Sequence, residues 1–171
     1  MKTIGPLLLS LAFGAAFTAC DSSSTSSTQA TIEMSTPAGW RRASDTVVDD
    51  RTAKIGLIAP LDVAGVYAYQ TKAAGLTPSQ IATAFAEAYQ SGAVSGAHVD
   101  SNSTFAVGGQ TGARLQLSYS LSSGGSSVSI IHRALFASFA GNDFQIEFVR
   151  QASDTASARG FQEIESSISI H

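Results

Sequence analysis

The chain has 171 residues, of which 44% are hydrophobic, so it can bury a real core and suits one domain with appendages. Only 13% are charged, about half the usual share, and the polar surface is left largely to Ser, Thr, Gln and Asn. Formal net charge is -3, and with no basic cluster longer than Arg41-Arg42 nucleic acid is not an expected partner.

The first residues follow the order of an export signal. Lys2 is a short positive start, Ile4 to Phe17 is a largely apolar run interrupted by Gly5, Pro6 and Gly14, and small residues follow at Thr18 and Ala19. A membrane-spanning helix needs about 20 apolar residues, and this run is shorter and has no flanking cationic stop. Residues 1–19 therefore read as a signal peptide. Phe17-Thr18-Ala19-Cys20 resembles a bacterial lipobox, with Phe17 where Leu is usual. That resemblance implies that the Cys20 thiol takes a diacylglyceryl group and becomes the first residue after cleavage. Cys20 is the single cysteine, so no disulfide forms within one chain, and a catalytic thiol would need a fixed base beside it. Two or three acyl chains, each CH₂ contributing roughly 0.8 kcal/mol, hold a soluble domain on a bilayer. The expected location is the cell membrane, lipid-anchored and facing outside the cytoplasm. After Cys20 the run Asp21 to Ala30 has nothing apolar to bury until its end, so residues 20–30 form a tether with an average reach on the order of 15 to 20 Å.

From residue 31 turn signals separate short alternating runs, and no fixed-period repeat appears. Thr31 to Met34 starts a strand, Pro37-Ala38-Gly39-Trp40 is a turn, and Lys54 to Ala59 and Val63 to Tyr69 are strands around Pro60. Trp40 reads as core packing, with a ligand platform as the sharper alternative. A helix begins at Thr77, where Thr77-Pro78-Ser79-Gln80 supplies an N-cap, a first-turn proline and a capping-box glutamine. Its face Ile81, Ala84, Phe85, Ala88, Tyr89 should cover a sheet, and Gly92 stops it.

A meander of antiparallel strands follows: His98 to Val107, the turn Gly108-Gly109, Thr111 to Leu121, a turn over Ser122 to Ser127, Val128 to Phe139, the turn Gly141-Asn142-Asp143, and Phe144 to Val149. In the second of these Ala113, Leu115, Leu117, Tyr119 and Leu121 share one face, while Arg114, Gln116, Ser118 and Ser120 take the other. Val128 to Phe139 is apolar on both faces and reads as a central strand. Asp154 or Ser153 caps a last helix with Ala158, Phe161, Ile164 and Ile168 inward. The fold class is α+β: an antiparallel meander sheet covered by helices.

The order of elements resembles the LpqN-type lipoproteins of actinobacteria, whose folded part is similar to the PsbP-like α/β sandwich. The resemblance covers roughly Thr31 to Ile170. It rests on Pro37-Ala38-Gly39-Trp40, the mid-chain helix, the Gly109 to Arg114 entry into a long strand, Arg133 in the next strand and the closing Ser167-Ile168-Ser169-Ile170. It implies a PsbP-like domain over 31–171 and binding or adaptor roles without a common catalytic set.

The residues point the same way. His98, His132 and His171 fall in separate elements with no metal-ligand spacing, so no metal and no cofactor is expected. His132 shares strand parity with Val128, Ile130, Ala134 and Phe136, reading as a structural histidine or a pH sensor. Gly108-Gly109-Gln110-Thr111-Gly112 lacks the lysine and helix of a phosphate loop and reads as a hairpin. No Gly-x-Ser-x-Gly elbow occurs, and Glu163, Glu165 and Asp49-Asp50 read as solvated faces and helix ends. The expected function is a non-catalytic binding or adaptor module for an envelope protein. The alternative is a carrier or sensor of an apolar envelope ligand lined by Trp40, Phe85, Tyr89, Phe136 and Phe148; a secreted hydrolase comes third.

Overall fold

A computed structural model describes residues 30–43, 47–48, 51–123 and 125–171. The expected signal peptide, Cys20 and tether residues up to 29 lie outside the described residues. Ala30, assigned above to the tether, is instead buried, and its carbonyl accepts from Gln70 Nε2 at 2.9 Å, so the domain begins one residue earlier.

The strands are β1 (Ile32–Glu33), β2 (Arg41–Ala43), β3 (Val47–Val48), β4 (Arg51–Thr52), β5 (Ile55–Ile58), β6 (Ala64–Lys72), β7 (Ser95–Val107), β8 (Gln110–Ser123), β9 (Ser126–Phe139), β10 (Asn142–Gln151) and β11 (Ser169–Ile170). The helices are α1 (Pro78–Ala88) and α2 (Ser157–Ser167). Seven strands form one antiparallel sheet in the order β2-β5-β6-β10-β9-β8-β7, with β1–β11 and β3–β4 as separate two-stranded ribbons.

The four-strand meander is the sheet's larger half, and its turns are tighter than the sequence suggests. Ser122 pairs with Ser127 and Ser123 with Ser126, so the ladder runs into the stretch Ser122 to Ser127 that was expected to turn. Asn142 is already paired with Phe139, which moves the last turn to Ala140-Gly141, both at positive φ. Serine and asparagine signal turns statistically, yet here the backbone ladder is worth more than their local hydrogen bonds. β9 is interior, as its composition predicts, but it is apolar and buried on both faces only over residues 134–137, with Ser129 and Arg133 polar on one face.

Each helix covers a different face. α1 opens with the predicted capping box: Thr77 Oγ1 accepts from Gln80 N at 3.3 Å, and Thr77 N donates to Gln80 Oε1 at 2.8 Å. It lies on β8 and β9, and its buried residues are Ala82, Ala86 and the expected Ala88, flanked by Phe85 and Tyr89, while Ala84 is exposed. The methyl side chains let the helix axis come close to the sheet and leave the two rings to wedge either side. α2 packs Phe161 and Ile164 on the other face, against a core that includes Leu57, Val66, Leu135, Ile146 and Phe148. Of the four residues expected to point inward from α2, Ala158 and Ile168 are only half-buried. Asp154, not Ser153, caps α2: its Oδ1 accepts from Ala156 N at 3.1 Å and Ser157 N at 3.2 Å.

Trp40 follows the predicted turn, closed by Trp40 N to Pro37 O at 3.1 Å, and lies against α2 at Gly160 and Phe161. A Cβ at position 160 would sit 2.6 Å from Trp40 Nε1, so the helix needs glycine there for close approach. Gly160→Ala is expected to lower stability by about 1–3 kcal/mol through overpacking, and a denaturant titration followed by the fluorescence of the sole tryptophan reads both the loss and the displaced indole.

Candidate functional site

α2 covers only part of its face of the sheet. Beyond it the α2-side residues are mostly polar: Arg114, Gln116, Ser118 and Ser120 on β8, and Ser129 and Arg133 on β9 with the half-buried Ile131 between them, all half-buried or exposed. The last turn of α2 closes on this surface through Glu165. Arg114 Nη2 donates to Glu165 Oε1, and Arg133 Nη1 donates to Glu165 Oε2 at 2.6 Å. The Glu165 side chain is 15% exposed. Glu165 is thus a clamped acceptor and not the solvated helix end the sequence suggested, whereas Glu163 is solvated and pairs with Arg159 one turn away at 3.1 Å.

The two guanidiniums against one carboxylate leave one positive charge in excess beside an open cleft of about 490 Å³, lined by Thr104, Phe105, Ala106, Arg114, Gln162 and Glu165. The Arg114 guanidinium carbon is 6.0 Å from the Phe105 ring centroid, a cation–π contact that holds the arginine down along the sheet. Past Arg114 the polar strip continues to Asp100, which a bulge in β7 aims at β8: its Oδ1 accepts from Ser118 Oγ at 2.8 Å and lies 3.1 Å from His98 Nδ1. Burial pushes the Asp100 carboxyl up, but hydrogen bonds from His98, Ser118 and Gln116 outweigh it and hold it below the ordinary carboxylate range. The strip therefore offers hydroxyls, an amide, guanidiniums and fixed carboxylates to whatever lies on it.

The α1 face holds a second polar feature, deep in apolar surroundings. His132 and Glu147 are both buried, with His132 Nε2 3.2 Å from Glu147 Oε2, and Gln145 Nε2 donates to Glu147 Oε1 at 2.6 Å. The rings of Tyr89, Phe85 and Tyr119 surround the imidazole at centroid distances of 5.4, 5.5 and 6.1 Å. The parity argument correctly put His132 on the apolar face; its partner was missed, although Glu147 alternates out of phase with Ile146 and Phe148 and so had to face the other side. Burial, and then the charge of Glu147, raise the Tyr67 hydroxyl above its ordinary value of 10.0. A group held neutral by the fold costs stability once the unfolded chain can ionise it, so stability falls as pH rises above about 10. Tyr67→Phe should make that alkaline loss shallower in chemical-denaturation curves taken across the range.

The five aromatics expected to line one ligand cavity are split by the sheet. Trp40 and Phe148 pack on the α2 face, each against Phe161. Phe85, Tyr89 and Phe136 pack on the α1 face, with Phe85 touching the other two at 4.8 and 5.4 Å. Strand alternation forces this outcome, because Phe148 lies across from Arg133 and Phe136 across from Gln145, pairs of opposite parity. Among the described residues no three His, Cys, Asp or Glu side chains gather as a metal site would require, and no helix is long and apolar enough to cross a membrane.

No protein-family model and no curated protein sequence matches this chain. Among solved structures it is similar to LpqN of Mycobacterium tuberculosis, described as involved in cell envelope biogenesis, with a TM-score of 0.56 at 19% identity over 82% of this chain and 83% of that one. It is also similar to cyanobacterial PsbP (CyanoP) from Synechocystis, with a TM-score of 0.53 at 11% identity over 90% of this chain and 98% of that one. The fold is PsbP-like and LpqN-like. A protein from Bacteroides thetaiotaomicron matches with a TM-score of 0.51 at 11% identity, over 82% of this chain but 45% of that one. Arg114 and Arg133, two of the residues on which the sequence resemblance rested, are the two that converge on Glu165.

Proposed function

We propose that this protein is a cell-envelope binding module, held to the membrane through a lipid on Cys20, that presents the open polar half of its sheet to an envelope protein and performs no chemistry on it. The observation that carries the reading is the Arg114–Glu165–Arg133 clamp beside an open cleft of about 490 Å³ that runs into a strip of hydroxyl and amide groups. Such a surface supplies many fixed hydrogen-bond partners and one excess charge, which suits recognition of a polar protein surface. LpqN, which shares the fold, is described as involved in cell envelope biogenesis, and the lipobox-like Phe17-Thr18-Ala19-Cys20 gives this chain an envelope address of its own. The carrier reading loses its main support, since its five aromatics lie on two faces.

The test is a photocrosslinking residue at Gln162, in the cleft, carried by the full anchored chain in the producing cells. A discrete protein adduct is the expected result. An adduct of a few hundred daltons would return the carrier reading to first place, and no adduct at all would remove the cleft as a contact surface. In parallel, Cys20→Ser should move the chain from the membrane fraction to the soluble one.

A further inference from the structure

The two edges of the seven-stranded sheet are built differently. β2, at one edge, is three residues long and carries Arg41 and Arg42, both exposed. Shortness and charge are devices that keep a sheet edge from pairing with another chain. β7, at the other edge, runs for thirteen residues. Its first half is irregular, with register shifts between Ser95 and His98 and between Val99 and Ser101, the second of which skips Asp100. Bulges and charge protect an edge in the same way. From Ser101 to Val107 the register with β8 is unbroken, and this stretch holds no charged residue and no proline. All of it except Phe105 and Val107 is exposed. This half of β7 therefore lacks every protection that β2 and its own first half show.

The hairpin fixes which backbone groups this half offers. Gly108 and Gly109, at φ 56 and 73, form a two-residue turn that sets Val107 opposite Gln110. Positive φ at both positions is the type I′ turn, whose flanking residues bond to each other. Antiparallel pairs alternate from there, so Val107, Phe105 and Ser103 bond to β8, while Ala106, Thr104 and Asn102 turn their N–H and C=O groups to the free edge. The cleft reaches this edge. Its lining includes Thr104, Phe105 and Ala106, and three consecutive strand residues cannot all send side chains to one face, so strand backbone forms part of the wall. Beside that backbone lie the Phe105 ring and the excess positive charge of the Arg114–Glu165–Arg133 clamp.

We infer that the β7 edge from Asn102 to Ala106 takes an extended segment of the envelope partner as an added strand, one whose side chains are uncharged except for an Asp or Glu directed at the clamp. The inference rests on the reading of the chain as an envelope binding module and supplies its mode of contact. Main-chain hydrogen bonds from the outward residues hold such a strand, and the cleft reads the side chains on its α2 side. A carboxylate there meets the guanidinium charge that Glu165 leaves in excess, whereas a lysine or arginine is repelled. A second copy of this edge brings no acidic side chain over Ser101 to Val107, so it does not complement the clamp.

The experiment uses the full anchored chain in the producing cells with benzoylphenylalanine at Asn102 or at Gln162. The expected result is the same protein adduct from both positions, with the Asn102 crosslink mapping by mass spectrometry to a segment that contains an acidic residue. The protein so identified, once purified, should bind Thr104→Pro roughly tenfold more weakly than the parent chain, because the variant lacks one outward N–H, and should bind Thr104→Ala about as well as the parent. Thr104→Pro should melt close to the parent, since proline is tolerated where a strand's N–H faces away from the sheet. Asn102→Pro, on the same outward side, repeats the comparison. If both proline variants melt far below the parent, those N–H groups serve the fold's own ladder and the added strand falls. A protein adduct from Gln162 alone, or undiminished binding by the proline variants, would overturn the strand and leave the binding module standing. An Asn102 adduct to lipid, to a second copy of this chain or to a segment without an acidic residue also overturns it. Silence at both positions would remove the strand and the binding module together.

Discussion

Replacing His132 with alanine should lower the stability of the domain by about 3–5 kcal/mol, among the largest effects expected of any single change. Two losses add. The imidazole is enclosed by Phe85, Tyr89 and Tyr119 and is 1% exposed, so truncation opens a cavity in a packed layer where large-to-small changes cost about 2–5 kcal/mol. It also removes the group 3.2 Å from Glu147, leaving a buried carboxyl with Gln145 still donating to it but one polar neighbour fewer. A double-mutant cycle separates the two: if the pair matters beyond packing, His132→Ala and Glu147→Ala together should cost less than the sum of the single changes by about 1–3 kcal/mol. Additive losses would assign the effect to the cavity alone. Urea titration monitored by far-UV circular dichroism is sufficient to read the cycle.

Glu165→Ala should affect stability and function together. It leaves Arg114 and Arg133 without their shared acceptor, and because hydrogen bonds to charged groups contribute about 1.5–3 kcal/mol while both arginines are roughly a third exposed, a loss of about 1–3 kcal/mol is expected. Arg114 is then free to leave Phe105, and the wall of the cleft goes with it. The adduct from a probe at Gln162 should fall to background in Glu165→Ala and be partly restored in Glu165→Gln, whose amide oxygen still accepts from one arginine. Full adduct yield in Glu165→Ala would mean the partner does not read this cleft. Salt should weaken the parent's clamp only modestly, since Glu165 itself is largely shielded.

The sequence by itself determined most of the local structure. The capping box at Thr77 and Gln80, the alternation of β8 and the Gly108-Gly109 hairpin all depend on neighbours within a few residues, and their physics is complete at that range. What it misread followed from the same locality. Serines over 122–127 signal a turn until a partner strand offers a ladder to join. Ala84 looked like part of the seam of α1, but it is exposed and the sheet takes Ala82 and Ala86 for close approach, while Ala88 is buried as expected.

The candidate site was beyond such reasoning. Arg114, Arg133 and Glu165 were each visible, two as points of resemblance and one set aside as a helix end, but 32 and 51 positions separate Glu165 from its partners, and only the packing of α2 on the same sheet face brings them together. The pairing of β6 with β10, which puts the early strands beside the late meander, is likewise a contact between segments 70 to 86 positions apart. Short-range propensity and periodicity set which strands and helices exist; long-range burial, which no local pattern encodes, decided which faces are covered, which charges meet, and that one sheet keeps Phe148 and Phe136 apart.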